Sequence, residues 1–288
     1  MTSTSQSTGG APGLWYSNME SRFDEEDAMR LTRAYDLPTD HEIVLATPSD
    51  RPNDPPSGTV VFFRDQFLAG LRFPPHKFFL EVCNYFRIPL GQVVPNSIRL
   101  LSGVVVLFKL NGIPLTPKIF HYFYYPKQAE WGTFVFQSRI GFVLFDNMPS
   151  SNKHWKEHFF YIRFPERPTF RTKWQTAMPA QPELGKFRGD ADYLHAAEQL
   201  VGQRYHIDKM LLPGVMHIFG LSSTPADLPC SMSKLPYLPL YFVLTDLFSA
   251  SAAEVMWKAR ATEKLKLKAA RIEAVTSKEA AEQGSCSG

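Results

Sequence analysis

The chain has 288 residues, 44% of them apolar and 14% aromatic, which suits one large domain, or one domain with appended helices, around a substantial core. Its longest apolar runs, Gly103 to Leu107 and Leu238 to Leu244, fall well short of the ~20 residues of a membrane helix, and the first thirty residues lack the basic start and apolar core of a secretory signal. Net charge is +3, and the three widely spaced cysteines, Cys83, Cys230 and Cys286, make neither a disulfide framework nor a zinc site; they suit a reducing, intracellular compartment, nucleus or cytoplasm being open.

Residues 1–22 are poor in aliphatics and read as disordered. Asp24 to Tyr35 reads as a short helix, with Asp24 as its cap and acidic residues in its first turn. Four prolines make residues 47–58 a linker, so residues 1–56 are expected to be an acidic, mostly disordered arm. The core is expected over 57–166. It opens with a strand at Val60 to Phe63 and an amphipathic stretch ending at Gly70. A helix then starts at Pro75, whose Phe78, Phe79, Val82, Cys83 and Phe86 share one face.

Pro95 and Asn96 open a further helix with Ile98, Leu101, Val105 and Phe108 on one side and Val104 and Leu107 on the other, the pattern of a buried central helix stopped at Asn111–Gly112. Thr116–Pro117 caps a fourth helix through about Tyr124. The period then changes: Thr133 to Gln137, Phe142 to Phe145 and His158 to Phe164 are β-branched and aromatic, with Arg139 to Gly141 as a turn, which predicts a small antiparallel meander. The fold class is therefore α+β, a helix-rich core with that meander.

Prolines make 165–186 a second linker, and 167–249 a Pro-interrupted helical extension with helices near 190–202 and 206–219. Residues 250–288 follow as an exposed Ala/Lys/Glu-rich helix and tail, long from Ala250 to about Glu282, with a partial heptad seam of Ala261, Leu265, Ile272 and Val275 interrupted by Lys268.

Charge is unevenly placed. Residues 1–56 hold ten Asp/Glu and four Lys/Arg (−6), and residues 57–170 hold thirteen Lys/Arg and six Asp/Glu (+7), a split that permits weak, non-specific nucleic-acid binding or an arm that shields the core. Lys153, Lys156 and Arg163 lie near Trp155, Phe160 and Tyr161, a mixture that can track phosphates and stack bases.

His154-Trp155-Lys156-Glu157-His158 matches H-x-x-E-H, whose zinc chemistry needs both imidazoles on one helical face with the glutamate beside them. Here the run leads straight into a strand and no third ligand follows, so it reads as a surface turn with Trp155 packed inward. No D-[ST]-G, no Asp-Asp pair, no Gly-rich phosphate loop and no G-x-S-x-G elbow occur. A carboxylate-based DNA-processing site would have to draw on Asp65, Glu81, Glu130, Asp146, Glu157 and Glu166, and Asp146 reads as a turn residue with Asn147. No catalytic, cofactor-binding or metal residue, no cofactor and no small-molecule substrate is assigned from these patterns.

Three ordered segments resemble the plant gypsy-type transposon domain family: Ala69 to Pro74 (AGLRFP), Pro89 to Arg99 (PLGQVVPNSIR) and Ser150 to Phe160 (SSNKHWKEHFF), with agreement over about 57–166. Ile98 departs from the tryptophan frequent in the family there, and the third pattern does not depend on histidine at 154 or 158. The resemblance implies an origin in a transposable element and carries no catalytic residues. The chain is thus expected to be a non-enzymatic, gag-like module for protein or nucleic-acid interaction. The rivals are a transposase or nuclease with scattered carboxylates, and a host-adopted structural or regulatory protein that self-associates through its last helix.

Overall fold

The structure, a computed structural model, describes residues 19–35, 37–129, 132–150, 152–183 and 191–222. The first helix, α1 (Glu25–Tyr35), starts where Asp24 Oδ1 accepts the Asp27 N–H at 2.9 Å. A short strand, β1 (Glu42–Val44), and then β2 (Thr59–Phe63) follow. Both pair with a strand from a hundred residues later, β6 (Phe159–Arg163), so β6 lies at the centre of an antiparallel sheet ordered β1-β6-β2.

Every residue of β2 and all but the last of β6 are buried, which explains why both read as continuous apolar runs rather than alternating ones. Phe62 faces Phe160 on one side, where Phe23 stacks on Phe160 at 4.3 Å; Val61, Phe63, Phe159 and Tyr161 face the other with Trp155. Residues 19–56 therefore do not stand apart as a mostly disordered arm. Phe23, Leu31 and Leu37 are core, and the Pro-rich stretch is tied down by Tyr161, whose hydroxyl donates to the Arg51 carbonyl at 3.0 Å.

The amphipathic stretch forms α2 (Arg64–Leu68), followed by α3 (Lys77–Tyr85), which His76 caps, two residues beyond the expected Pro75; Phe78, Phe79, Val82, Cys83 and Phe86 are all buried, as their spacing requires. Next comes α4 (Pro95–Leu110) with Pro95 at its first position, buried on all sides as a central helix must be, and ending at Asn111 with Gly112 at φ 66°. Thr116 caps α5 (Pro117–Phe123) through its side chain. Between α3 and α4 the chain passes so close to β2 that a Cβ on Gly91 would run into the Val61 carbonyl oxygen.

The expected meander is replaced by three separate pairings. β4 (Phe134–Ser138) pairs with β3 (Tyr124–Gln128), β5 (Phe145–Asp146) pairs in parallel with β7 (Tyr205–His206), and β6 belongs to the sheet described above. The Arg139–Phe142 turn is present, but it cannot fold β5 back on β4, because the outer edge of β4 is already taken by α4: Val94 N–H donates to Phe134 O at 3.0 Å and Phe136 N–H to Ser97 Oγ at 2.7 Å. Since Phe136 faces away from β3, its partner Pro126 faces the outer edge of β3, where its missing N–H blunts that edge.

Beyond β6, residues 165–183 form no helix or strand yet are held to the body. Gln92 Nε2 donates to Gln175 O at 2.7 Å and its Oε1 accepts Gln175 N–H at 2.8 Å, while Gln128 Nε2 reaches Thr176 O at 2.7 Å. Then come α6 (Ala191–Glu198), α7 (Ile207–Met210) and α8 (Pro213–Ile218); the helix expected over 206–219 is two helices because Pro213 can only begin one. The α+β class holds. The helix expected from Ala250 to about Glu282 lies outside the described residues.

Candidate interaction groove

The start of α4 grips its surroundings with three closely spaced residues. Val94 holds β4 through the backbone bond to Phe134, Asn96 Nδ2 donates to Pro149 O at 2.6 Å, and Ser97 receives the Phe136 N–H. These contacts hold β4 on one side of the helix start and residues 143–150 on the other, with a groove between. The groove comprises two adjoining cavities of about 620 and 570 Å³ that share Asn96, Ala129 and Val135 in their walls. Either is large enough to seat several side chains.

The first cavity is walled by Leu100, Val135, Phe136, Leu144, Phe145 and Met148, with Lys127 at its edge. Val143, which also lines it, is 41% exposed, and Ile140, in the turn after β4, is fully exposed. The second cavity takes Val94, Pro95 and Met19 on its apolar side and Lys153, His154, Lys156 and Glu157 on its polar one. Its carboxylate is occupied. Glu157 lies 2.7 Å from His154 Nδ1 and 2.8 Å from Arg22, and the His154 hydrogen bond, followed by the charges of Arg22 and the imidazoles, holds its carboxyl below the usual range. The cationic lining residues of the two cavities are Lys127, Lys153 and Lys156.

The H-x-x-E-H residues form a single 3₁₀ turn, not a helix. His154 adopts a left-handed backbone (φ 60°) and is exposed, while Trp155 turns inward onto Phe63 at 4.7 Å. His158 Nδ1 faces the His154 carbonyl, so the imidazoles do not share a helical face and Glu157 is committed to Arg22 and His154. Among the described residues no group of three His, Cys, Asp or Glu is placed to hold a metal ion.

The basic-aromatic cluster is likewise divided. Trp155, Phe160 and Tyr161 are core residues, and Arg163 pairs with Glu42 at 2.8 Å at the far end of β6, roughly 13 Å along an extended strand from its start. Lys153 and Lys156 remain at the groove. The candidate carboxylates stand on separate elements: Asp65 beside Arg64 on α2, Glu81 beside Lys77 on α3, Asp146 opposite Arg204 at the end of β5, and Glu166 exposed after β6. Glu130 lies outside the described residues. Asp146 does precede a left-handed Asn147 (φ 59°), as a turn residue would.

Sequence reasoning missed Asn96, Lys127 and Val135 as neighbours, since they lie on three elements. It also missed the buried glutamines. Gln66 takes the Phe63 N–H and donates to Val93 O at 2.8 Å, and Gln92 ties down residue 175; their place inside apolar runs was the available signal.

Residues 60–128, 69 of the 288, are similar to the protein family described as "Putative gypsy type transposon". The match supports a transposable-element origin for the chain. It includes the first two resembling segments and ends before the third. It runs from β2 to β3 and so contributes the α4 and β3 walls of the groove, whereas β4 and the wall residues 143–150 and 152–157 follow it. No curated protein and no solved structure matches the chain.

Proposed function

We propose that this transposon-related chain acts without catalysis, as a gag-like protein-interaction module whose groove at the start of α4 receives apolar side chains of a protein partner. The observation that carries the reading is the pair of adjoining cavities with apolar walls and a lysine rim, Lys127, Lys153 and Lys156. Apolar concavity supplies affinity through burial, and the rim charge selects what enters. A nucleic-acid partner is less well served, because the rings that would stack bases are in the core. A nuclease is less well served too, because its carboxylates sit on different elements.

A photo-crosslinking residue at position 137, in the groove, should trap a protein, while the same residue at position 77, on the exposed face of α3, should not. Crosslinks to nucleic acid from position 137, or equal protein crosslinking from both positions, would reject the groove as a protein site. Magnesium-dependent cleavage of DNA, lost in Asp146→Asn, would restore the enzymatic rival.

A further inference from the structure

We infer that the second cavity is the seat of this chain's own Leu14, Trp15 and Tyr16, which hold that half of the groove until a protein partner displaces them. The inference rests on the groove being a protein site and adds what occupies it beforehand. The described chain begins at Met19, and Met19 is a wall of that cavity, as is Val94. Residues 1–18 carry no charged side chain, and their large apolar ones are Met1 and the run Leu14-Trp15-Tyr16, which ends three residues before Met19. The apolar cluster of this segment therefore joins the described fold at the wall of an apolar slot.

Position favours this occupant. Ser21 Oγ donates to the Phe159 carbonyl and Arg22 N–H to the Glu157 carbonyl at 2.7 Å, and Met19 packs on the cluster of Val61, Phe63 and Trp155, so the point from which residues 14–16 depart is fixed. Trp15 is four residues from Met19, within roughly 15 Å of it even at full stretch. A tether this short presents its side chains at an effective concentration on the order of millimolar, which a separate molecule seldom matches. The chemistry fits as well. Leucine and the two rings bury against Val94, Pro95 and Val135, while the indole N–H and phenol O–H keep to the wet edge. Lys153, exposed and without an ion partner among the described residues, stands on the polar side, where an aromatic face attracts an ammonium.

The test places a photo-crosslinking benzoylphenylalanine at position 15 of the full chain, irradiates it with an isotope-labelled copy of the chain present, and maps the products by mass spectrometry. Crosslinks should fall within one molecule, on residues 88–99 and 128–139, the tryptic peptides that hold Val94 and Val135. The same probe at position 5 should give far fewer. In Trp15→Ser, protein trapped from position 137 should rise roughly threefold or more, since a site open only part of the time binds in proportion to that part. Trp15→Phe keeps a ring and should stay near wild type, a difference that a disturbed fold could not produce.

Crosslinks from position 15 that scatter over the surface, or that join two copies, overturn the inference even where position 137 still traps a protein. Crosslinks to the cavity walls with unchanged trapping in Trp15→Ser overturn the masking of the groove. Crosslinks to the cavity walls with no protein trapped from position 137, in wild type or in Trp15→Ser, overturn the protein site itself.

Discussion

Residues 19–46 and residues 165–183 both look peripheral in sequence, one acidic and the other Pro-rich, and both are bound to the body by different physics. The first is held by apolar burial and strand pairing: Phe23, 4% exposed, stacks on Phe160, Leu31 and Leu37 are core, and β1 adds three residues to the edge of β6. The second has Phe170 buried, but its backbone is held by side-chain amides, chiefly Gln92 and Gln128. A polar segment without regular structure is thus not a free one. Its peptide groups need partners, and a glutamine can supply both a donor and an acceptor where no neighbouring strand is available.

The contrast predicts unequal losses. Phe23→Ala removes a core ring and should lower the free energy of unfolding by about 3–5 kcal/mol in a urea titration. Deleting residues 1–56, which removes β1 as well, should leave a chain that no longer unfolds cooperatively. A loss below about 1 kcal/mol for Phe23→Ala would mean that the segment is attached to the core rather than part of it.

Gln92→Ala should cost less, about 1–3 kcal/mol, because it leaves polar groups of residues 132 and 175 without their partner. Its signature is local: trypsin should cut at Arg171 and Lys173 much faster than in wild type, while Phe23→Ala accelerates cleavage everywhere. Unchanged cleavage at those two sites would show that Phe170 and its apolar neighbours hold the segment unaided.

Tyr161→Phe keeps the ring and removes one hydrogen bond to Arg51, so about 0.5–1.5 kcal/mol should go, with the effect confined to residues 47–58 in hydrogen exchange. A larger loss would make that Pro-rich stretch part of the cooperative core.

The smallest expected difference is in pH dependence. Burial, with Lys109 beside one and Arg139 beside the other, lowers the imidazoles of His76 and His121 to about 4. Each folded pKa lies below its unfolded value of about 6.5, so the folded state binds fewer protons in that window. Stability should be level above about pH 6.5 and fall as pH drops from there towards 4. His76 Nδ1 also caps α3 by accepting the Phe78 N–H, a bond that protonation there removes. Neither histidine belongs to the two compared segments, so wild type, Phe23→Ala and Gln92→Ala should give parallel curves. A variant that changes the slope would reveal coupling between its segment and the helices.

By itself the sequence determined α1, α3, α4 and α5. The Asp24 cap, Thr116 with Pro117, Pro95 at the first turn of α4 and the stripe from Phe78 to Phe86 all act within a few residues of one another, and capping and 3.6-residue periodicity need nothing further. Strand character at Thr59–Phe63 and Phe159–Arg163 was legible for the same reason. Strand partners were not, because Glu42 meets Arg163 across more than a hundred residues and only the burial of both faces of β6 selects that pairing. The groove was half legible: Lys153 and Trp155 stood out as neighbours, yet whether Trp155 faced a ligand or the core depended on Phe63, and Asn96, Lys127 and Val135 met only through packing. Local chemistry sets what each segment becomes, and the competition for buried surface and backbone partners decides what it touches.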